Sequence, residues 1–265
     1  MYSRSRLIAK YLRYYFSSSN SKGHGTHSPF VFDFITKVLN DKNHYPVYTT
    51  LEAERHRLLG DHTTLNITDF GAGSTRIKTN KRKLSEIARH SLKPKKYASL
   101  LFRMAAYFQP QTILELGTSL GLTTAYLASA RPTATVYTFE GAAEVAIQAK
   151  SLFDKTNLQN IVQITGNFDE TVRPFLSGLE KADFVFIDGN HRYQPTVNYL
   201  HQLLPVLHEY SVVIMDDIHW SEEMENAWSY CRKVADVTLS IDLFFIGILF
   251  FRKEFRVPQH FSIRF

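Results

Sequence analysis

Ile113-Leu114-Glu115-Leu116-Gly117-Thr118-Ser119-Leu120-Gly121 decides the fold of this chain. An apolar run enters a turn with two glycines, and the apolar stretch from Leu122 to Ala128 follows at once. That order predicts a strand, a turn and a helix, the opening of a βα unit. Glycine lets backbone approach a ligand closely, and a helix N-terminus offers N–H groups without intrahelical partners.

Outward from this unit the same alternation continues. Short β-branched runs predict strands at 112–116, 135–139, 161–165, 184–187 and 212–215, with helices at 122–129, 142–155, 169–176, 194–207 and 222–234. Strands interleaved with helices imply a parallel sheet with right-handed crossovers. At the end, 237–241 and 246–252 are two strands with no helix between them, which predicts an antiparallel hairpin. The expected fold is therefore α/β: a Rossmann-like, seven-stranded, mostly parallel sheet with an antiparallel last strand, plus an N-terminal helical extension. The expected organisation is an extension over residues 1–93, the Rossmann-like domain over 94–253 and a tail over 254–265. In the extension, Leu7, Ile8, Tyr11, Leu12, Tyr15 and Phe16 recur at helical spacing. Ser28-Pro29 reads as an N-cap followed by proline at the first helical position, and a third short helix is expected over residues 51–59.

In such sheets ligands bind outside the carboxyl ends of the strands. The turn Gly117 to Gly121 is G-x-x-x-G, not the G-x-G-x-x-G of a dinucleotide site, and Glu115 stands two residues before it. An acid there repels phosphate and suits a cationic ligand, such as the amino-acid end of a sulfonium cofactor. Glu140-Gly141 ends the second strand, where a carboxylate can accept two hydrogen bonds from a ribose diol. Asn167 and Phe168 follow the third strand, placed to bond and pack against an adenine.

The stretch from Ile113 to Ala128, the acid Glu140, and Asp188-Gly189-Asn190-His191-Arg192-Tyr193 resemble the class I S-adenosylmethionine-dependent methyltransferases. Within these the similarity is to the O-methyltransferase branch of catechol and macrolide-sugar type, over residues 94–253. The resemblance implies a cofactor site of Glu115, Gly117, Thr118, Ser119, Gly121, Glu140, Gly141, Asn167, Phe168 and Asp188. It also implies that Asp188, Asp216 and Asp217 hold magnesium; the Asp-Asp pair departs from the catechol type and matches the sugar-modifying type better.

The chemistry of the residues agrees. If the strands ending at Asp188 and Asp216 are neighbours, they lie about 4.8 Å apart, and three carboxylates so placed repel unless protonated or bridged by a hard cation. Metal-bound hydroxyl activation would follow, with Asp188 at the metal and His191 as general base, since imidazole titrates near neutrality. His219 is the reserve base.

The expected function is O-methylation of a small-molecule hydroxyl, with RNA methylation and a non-catalytic cofactor-binding module as alternatives. For RNA, the support is the basic stretch from Arg76 to Lys96, within a net charge of +6, and the aromatic-basic tail from Phe255 to Phe265. A solvated basic face explains the same run. Ile67 to Ser74 also reads as strand, acid and Gly-rich turn, but the basic residues after it show no apolar periodicity, so a loop is expected there. His24 and His27 could ligate metal by type, although paired loop histidines are more often unliganded. The single cysteine, Cys231, fits a reducing cytoplasm and sits inside a helix as an inert thiol. Trp220 and Trp228 read as packing residues, and Trp220 also follows the acidic pair. The longest apolar run, from Leu243 to Phe251, is too short to span a bilayer, so no membrane partner is expected. The apolar faces of the N-terminal helices are expected to cover the site or form a homodimer.

Overall fold

The computed structural model describes residues 1–19, 28–67 and 81–265. His24, His27, Arg76, Lys78 and most of the Gly-rich stretch at 67–74 lie outside the described residues. In chain order the elements are α1 (Arg4–Ser17), α2 (Pro29–Phe34), a π-helical turn (Ile35–Leu39), α3 (Val47–Gly60), β1 (Thr64–Asn66), β2 (Lys81–Lys83), α4 (Leu84–Ser91) and α5 (Lys95–Phe108). Then β3 (Thr112–Leu116), α6 (Leu122–Ala130), β4 (Thr135–Glu140), α7 (Ala143–Lys155), β5 (Ile161–Thr165) and α8 (Phe168–Ser177) follow. The remainder is β6 (Phe184–Ile187), α9 (Tyr193–Leu203), β7 (Val212–Asp216), α10 (Glu222–Cys231), β8 (Leu239–Asp242), β9 (Ile246–Phe250) and β10 (Gln259–Ser262).

Eight of these strands make a mixed, mostly parallel sheet flanked by helices, and β1 with β2 forms a separate antiparallel pair. The Rossmann-like expectation holds, with one strand more than the seven expected: the tail supplies β10, which pairs parallel to β8. The chain divides into two compact units, residues 42–179 and residues 1–41 with 180–265.

In the unit of residues 42–179, β4 runs between β3 and β5, parallel to both. Its core joins Leu51 and Leu58 of α3, Leu84 of α4, Phe102 of α5, Tyr126 of α6 and Phe153 of α7. Helices α3 and α4 belong to this core because their apolar residues recur on one face, and burying that face is what stabilises a short helix. Tyr126 keeps its hydroxyl satisfied by donating to Glu52 at 2.8 Å.

In the other unit, β6 and β7 are parallel, and β9 is antiparallel to both β7 and β8. The expected hairpin and the reversed strand are therefore present. Four-residue β6 and five-residue β7 are buried along their whole length, which is why their sequences run apolar without alternation. Ser28 caps α2 through the Val31 N–H, with Pro29 in the first turn as its sequence implies. Gly247 on β9 faces Trp228, whose ring atoms would lie 2.6–2.8 Å from any Cβ there. Trp228 is thus the packing residue its sequence suggested. Among the described residues no helix is long and apolar enough to cross a membrane.

Candidate active site

The turn after β3 is built by hydrogen bonds to its neighbour strand. The N–H groups of Gly117 and Thr118 both donate to the Phe139 carbonyl, at 3.0 and 2.9 Å. Gly117 (φ 116°), Ser119 (φ 47°) and Gly121 (φ 78°) all take positive φ, so the chain reverses sharply into α6. At Gly121 the glycine also serves packing, because a Cβ would lie 2.6 Å from Phe153 Cε1 and 2.9 Å from Ala149 Cβ.

Glu115 is fully buried on β3. Its Oε2 accepts from the hydroxyls of Thr124 and Thr138, the latter at 2.6 Å. Thr118 and Thr138 share a further hydroxyl contact at 2.5 Å, so strand, turn and helix meet in one polar network around the carboxylate. The threonines at 124 and 138 are invisible as site residues in the sequence. Thr138 became one because the register sets it opposite Glu115.

Glu140, at the end of β4, accepts from the backbone: Ser119 N–H at 2.8 Å on one oxygen and Ala142 N–H at 2.9 Å on the other. Each bond occupies one of the carboxylate's roughly four acceptor positions and fixes its plane. Gly141 lies between Glu140 and the Ala142 N–H that anchors it. Ser119 donates its hydroxyl to Ser91 at 2.7 Å, tying the turn to the end of α4. Asn167 caps α8, its side chain accepting from Asp169 N–H at 3.2 Å, and Phe168 is the first residue of that helix.

A second constellation lies at the strand ends of the other unit. β6 and β7 pair in register through Ile187 and Met215, so Asp188 and Asp216 emerge side by side. His191 joins them: one ligating atom from each of Asp188, His191 and Asp216 falls within 4.8 Å of the others. The His191 Nε2 is 3.4 Å from Asp188 Oδ1. Left-handed backbone at Asn190 (φ 68°) and His191 (φ 38°) folds the loop back to bring the imidazole there. The group does not include Asp217, which takes φ 53° just beyond the strand. The Trp220 ring stands 5.7 Å from the His191 ring at 60°.

His219 has both ring nitrogens engaged by carboxylates, Nδ1 with Glu225 and Nε2 with Asp242, each at 2.9 Å. Burial disfavours its charge, but the bonds and charges of Asp242 and Glu225 outweigh that and raise its pKa above the ordinary value. An imidazole held this way is committed to structure, which leaves His191 as the base candidate.

Residues 114–218 match the model of a family described as a methyltransferase domain. No curated protein matches the sequence. Among solved structures the chain is similar to the O-methyltransferase TomG from Streptomyces achromogenes, involved in tomaymycin synthesis and in complex with SAM. Identity is 19%, with 63% of this chain and 86% of that one covered, at a TM-score of 0.54. An O-methyltransferase from Bacillus cereus in complex with SAH shares 19% identity over 83% of this chain and 97% of its own, with a TM-score of 0.57. The SAH-bound methyltransferase PaMTH1 of Podospora anserina shares 12% identity over 85% and 97%, with a TM-score of 0.59. The three structures share the fold. The match over residues 114–218 supports the methyltransferase resemblance read from the sequence.

Proposed function

We propose that this chain, through its methyltransferase domain, moves a methyl group from S-adenosylmethionine to a hydroxyl of a small molecule, assisted by a divalent metal. The observation that carries the cofactor reading is Glu140, a strand-end carboxylate held at both oxygens by backbone N–H groups from the turn and from the residue before α7. A carboxylate fixed in this way at a strand end can accept two hydrogen bonds from a vicinal diol. Gly117, Thr118, Ser119 and Gly121 shape the backbone beside it. Glu115 contributes as a buried negative charge beneath a cationic ligand. Asn167 and Phe168 are proposed for the adenine.

The carboxylates of Asp188 and Asp216 fit a hard divalent ion such as magnesium or manganese, with the His191 imidazole beside them. An ion held there would lower the pKa of an acceptor hydroxyl and orient its oxygen. Asp188 and Asp216 would hold it, with Asp217 adding negative charge from the adjoining loop. His191 would accept the hydroxyl proton, and Asp188 at 3.4 Å would stabilise the imidazolium. Oxygen as the acceptor atom rests on the likeness to two O-methyltransferases.

Calorimetric titration of S-adenosylhomocysteine into the native chain and Glu140→Ala tests the cofactor site. Micromolar binding to the first and none to the second is expected; equal binding to both removes Glu140 from the site. A Mn2+ titration of the native chain and Asp216→Asn tests the metal separately, and equal affinities would leave methyl transfer without metal assistance.

A further inference from the structure

We propose that helix α1 is a brace for the loop between β7 and α10, with Tyr2 and Lys10 as positioning residues for the Asp188–His191–Asp216 cluster. The functional consequence rests on the reading of that cluster given above; the brace itself rests on the contacts alone.

The loop at residues 217–221 begins where β7 delivers Asp216. It turns back on itself, the Trp220 N–H donating to the Asp217 carbonyl at 2.9 Å. The carbonyl of Trp220 accepts from the backbone N–H of Tyr2 at 3.0 Å. Tyr2 is 8% exposed, its ring flanked by the Arg6 guanidinium at 4.2 Å and the Lys10 ammonium at 4.7 Å.

The Tyr2 hydroxyl donates to Glu225 Oε2 at 2.7 Å, and Lys10 Nζ reaches both oxygens of the same carboxylate at 2.9 and 3.0 Å. Glu225 in turn holds His219, the middle residue of the loop, whose other nitrogen is held by Asp242. The His219 ring stacks on Phe244 at 5.1 Å, and Tyr11 and Tyr14 of α1 pack against that same Phe244. Tyr2, just ahead of α1, and Lys10 on α1 therefore grip the loop at two points, the Trp220 carbonyl and, through Glu225, the His219 ring. The Trp220 ring of the loop in turn lies against the His191 ring of the cluster. Tyr2 and Lys10 thus direct a backbone N–H, a hydroxyl and an ammonium at this five-residue loop and at the α10 carboxylate that holds it.

The test compares the full native chain with Tyr2→Phe, Lys10→Met, the double variant and the conservative Lys10→Arg. Trp228 is 2% exposed, so acrylamide quenching reads Trp220. The double variant is expected to raise amide exchange across residues 217–221 by about tenfold, as loss of charge-assisted hydrogen bonds implies. Trp220 quenching should rise with it, while S-adenosylhomocysteine affinity stays within about twofold because its cradle lies in the other unit. Lys10→Arg should restore native exchange. Where the native chain binds Mn2+, the double variant should bind it several-fold more weakly. Unchanged exchange and quenching in the loop, with faster exchange confined to α1, would overturn the brace, and so would an equal rise in exchange throughout the chain. A native chain without Mn2+ affinity would end the metal reading, and exchange and quenching would still decide the brace.

Discussion

Thr138 on β4 and Glu115 on β3 are register partners, and the hydroxyl of the first donates to the carboxylate of the second at 2.6 Å. A carboxylate with no solvent exposure depends on such donors, because water is not there to replace them. Thr138→Val keeps the shape and removes the donor. It should cost about 1–3 kcal/mol in urea unfolding, the penalty for a buried acceptor that loses its partner. The same change frees Thr118 at the turn, so S-adenosylhomocysteine should bind more weakly, and Thr138→Ser should recover most of both. A Val variant as stable as the native chain would show that the network is dispensable.

Gly121→Ala should harm the chain in two separable ways. Left-handed backbone costs a residue with a Cβ about 1–2 kcal/mol. Crowding against Phe153 and Ala149 adds about 1–3 kcal/mol of overpacking. Adding Phe153→Leu should return part of the second and none of the first. Thermal unfolding of the single and double variants measures this, and a Gly121→Ala chain with native Tm contradicts the geometry.

The strands that the sequence revealed best include β3 and β6, buried almost throughout, and the half-exposed β5. Residues 112–116, 161–165 and 184–187 coincide with β3, β5 and β6 because an apolar β-branched run between turn residues has few other uses. Strands β1, β2 and β10 were not legible. Lys81-Arg82-Lys83 and Gln259-His260-Phe261-Ser262 lack alternation, and their partners Thr64–Asn66 and Leu239–Asp242 are fixed by tertiary register. The meeting of Asp188 and Asp216 was legible, since both end strands that the fold sets side by side. The sequence also named His191 as the base beside Asp188, but the left-handed backbone at Asn190 and His191 that brings its ring there was not legible. His219 shows the converse: its spacing from the acids suggested a base, but only the fold could show Asp242 and Glu225 occupying its nitrogens.

Cys231 should be silent to thiol reagents in the native chain. It is fully buried in α10, and burial pushes its thiol up to about 12, so almost no thiolate exists at neutral pH. Reaction with a chromogenic disulfide should appear only with urea unfolding and track the loss of helix signal. Fast labelling of the folded chain would mean that α10 opens locally.

β10 should loosen in acid through His260. The Arg232 Nη1 is 2.6 Å from His260 Nε2, and a guanidinium only donates, so Nε2 accepts and the ring proton sits on Nδ1, facing Ser240 Oγ at 2.9 Å. Partial burial and then the Arg232 charge lower the His260 pKa, against the pull of Asp242. With the folded value below the ordinary value of about 6.5, the unfolded chain binds the proton first. The stability from neutral His260 is therefore full above that pH and lost as pH falls through the folded value. His219 has the opposite sign: its raised pKa stabilises below about 6.5 and is lost as pH rises through its folded value, so a global Tm mixes the two. Amide exchange at residues 259–262 separates them. Corrected for intrinsic rates, it should rise as pH drops below about 6.5 in the native chain. In His260→Gln, which keeps a polar side chain but does not titrate, it should stay flat. The same acid response in both chains would place the sensitive group elsewhere.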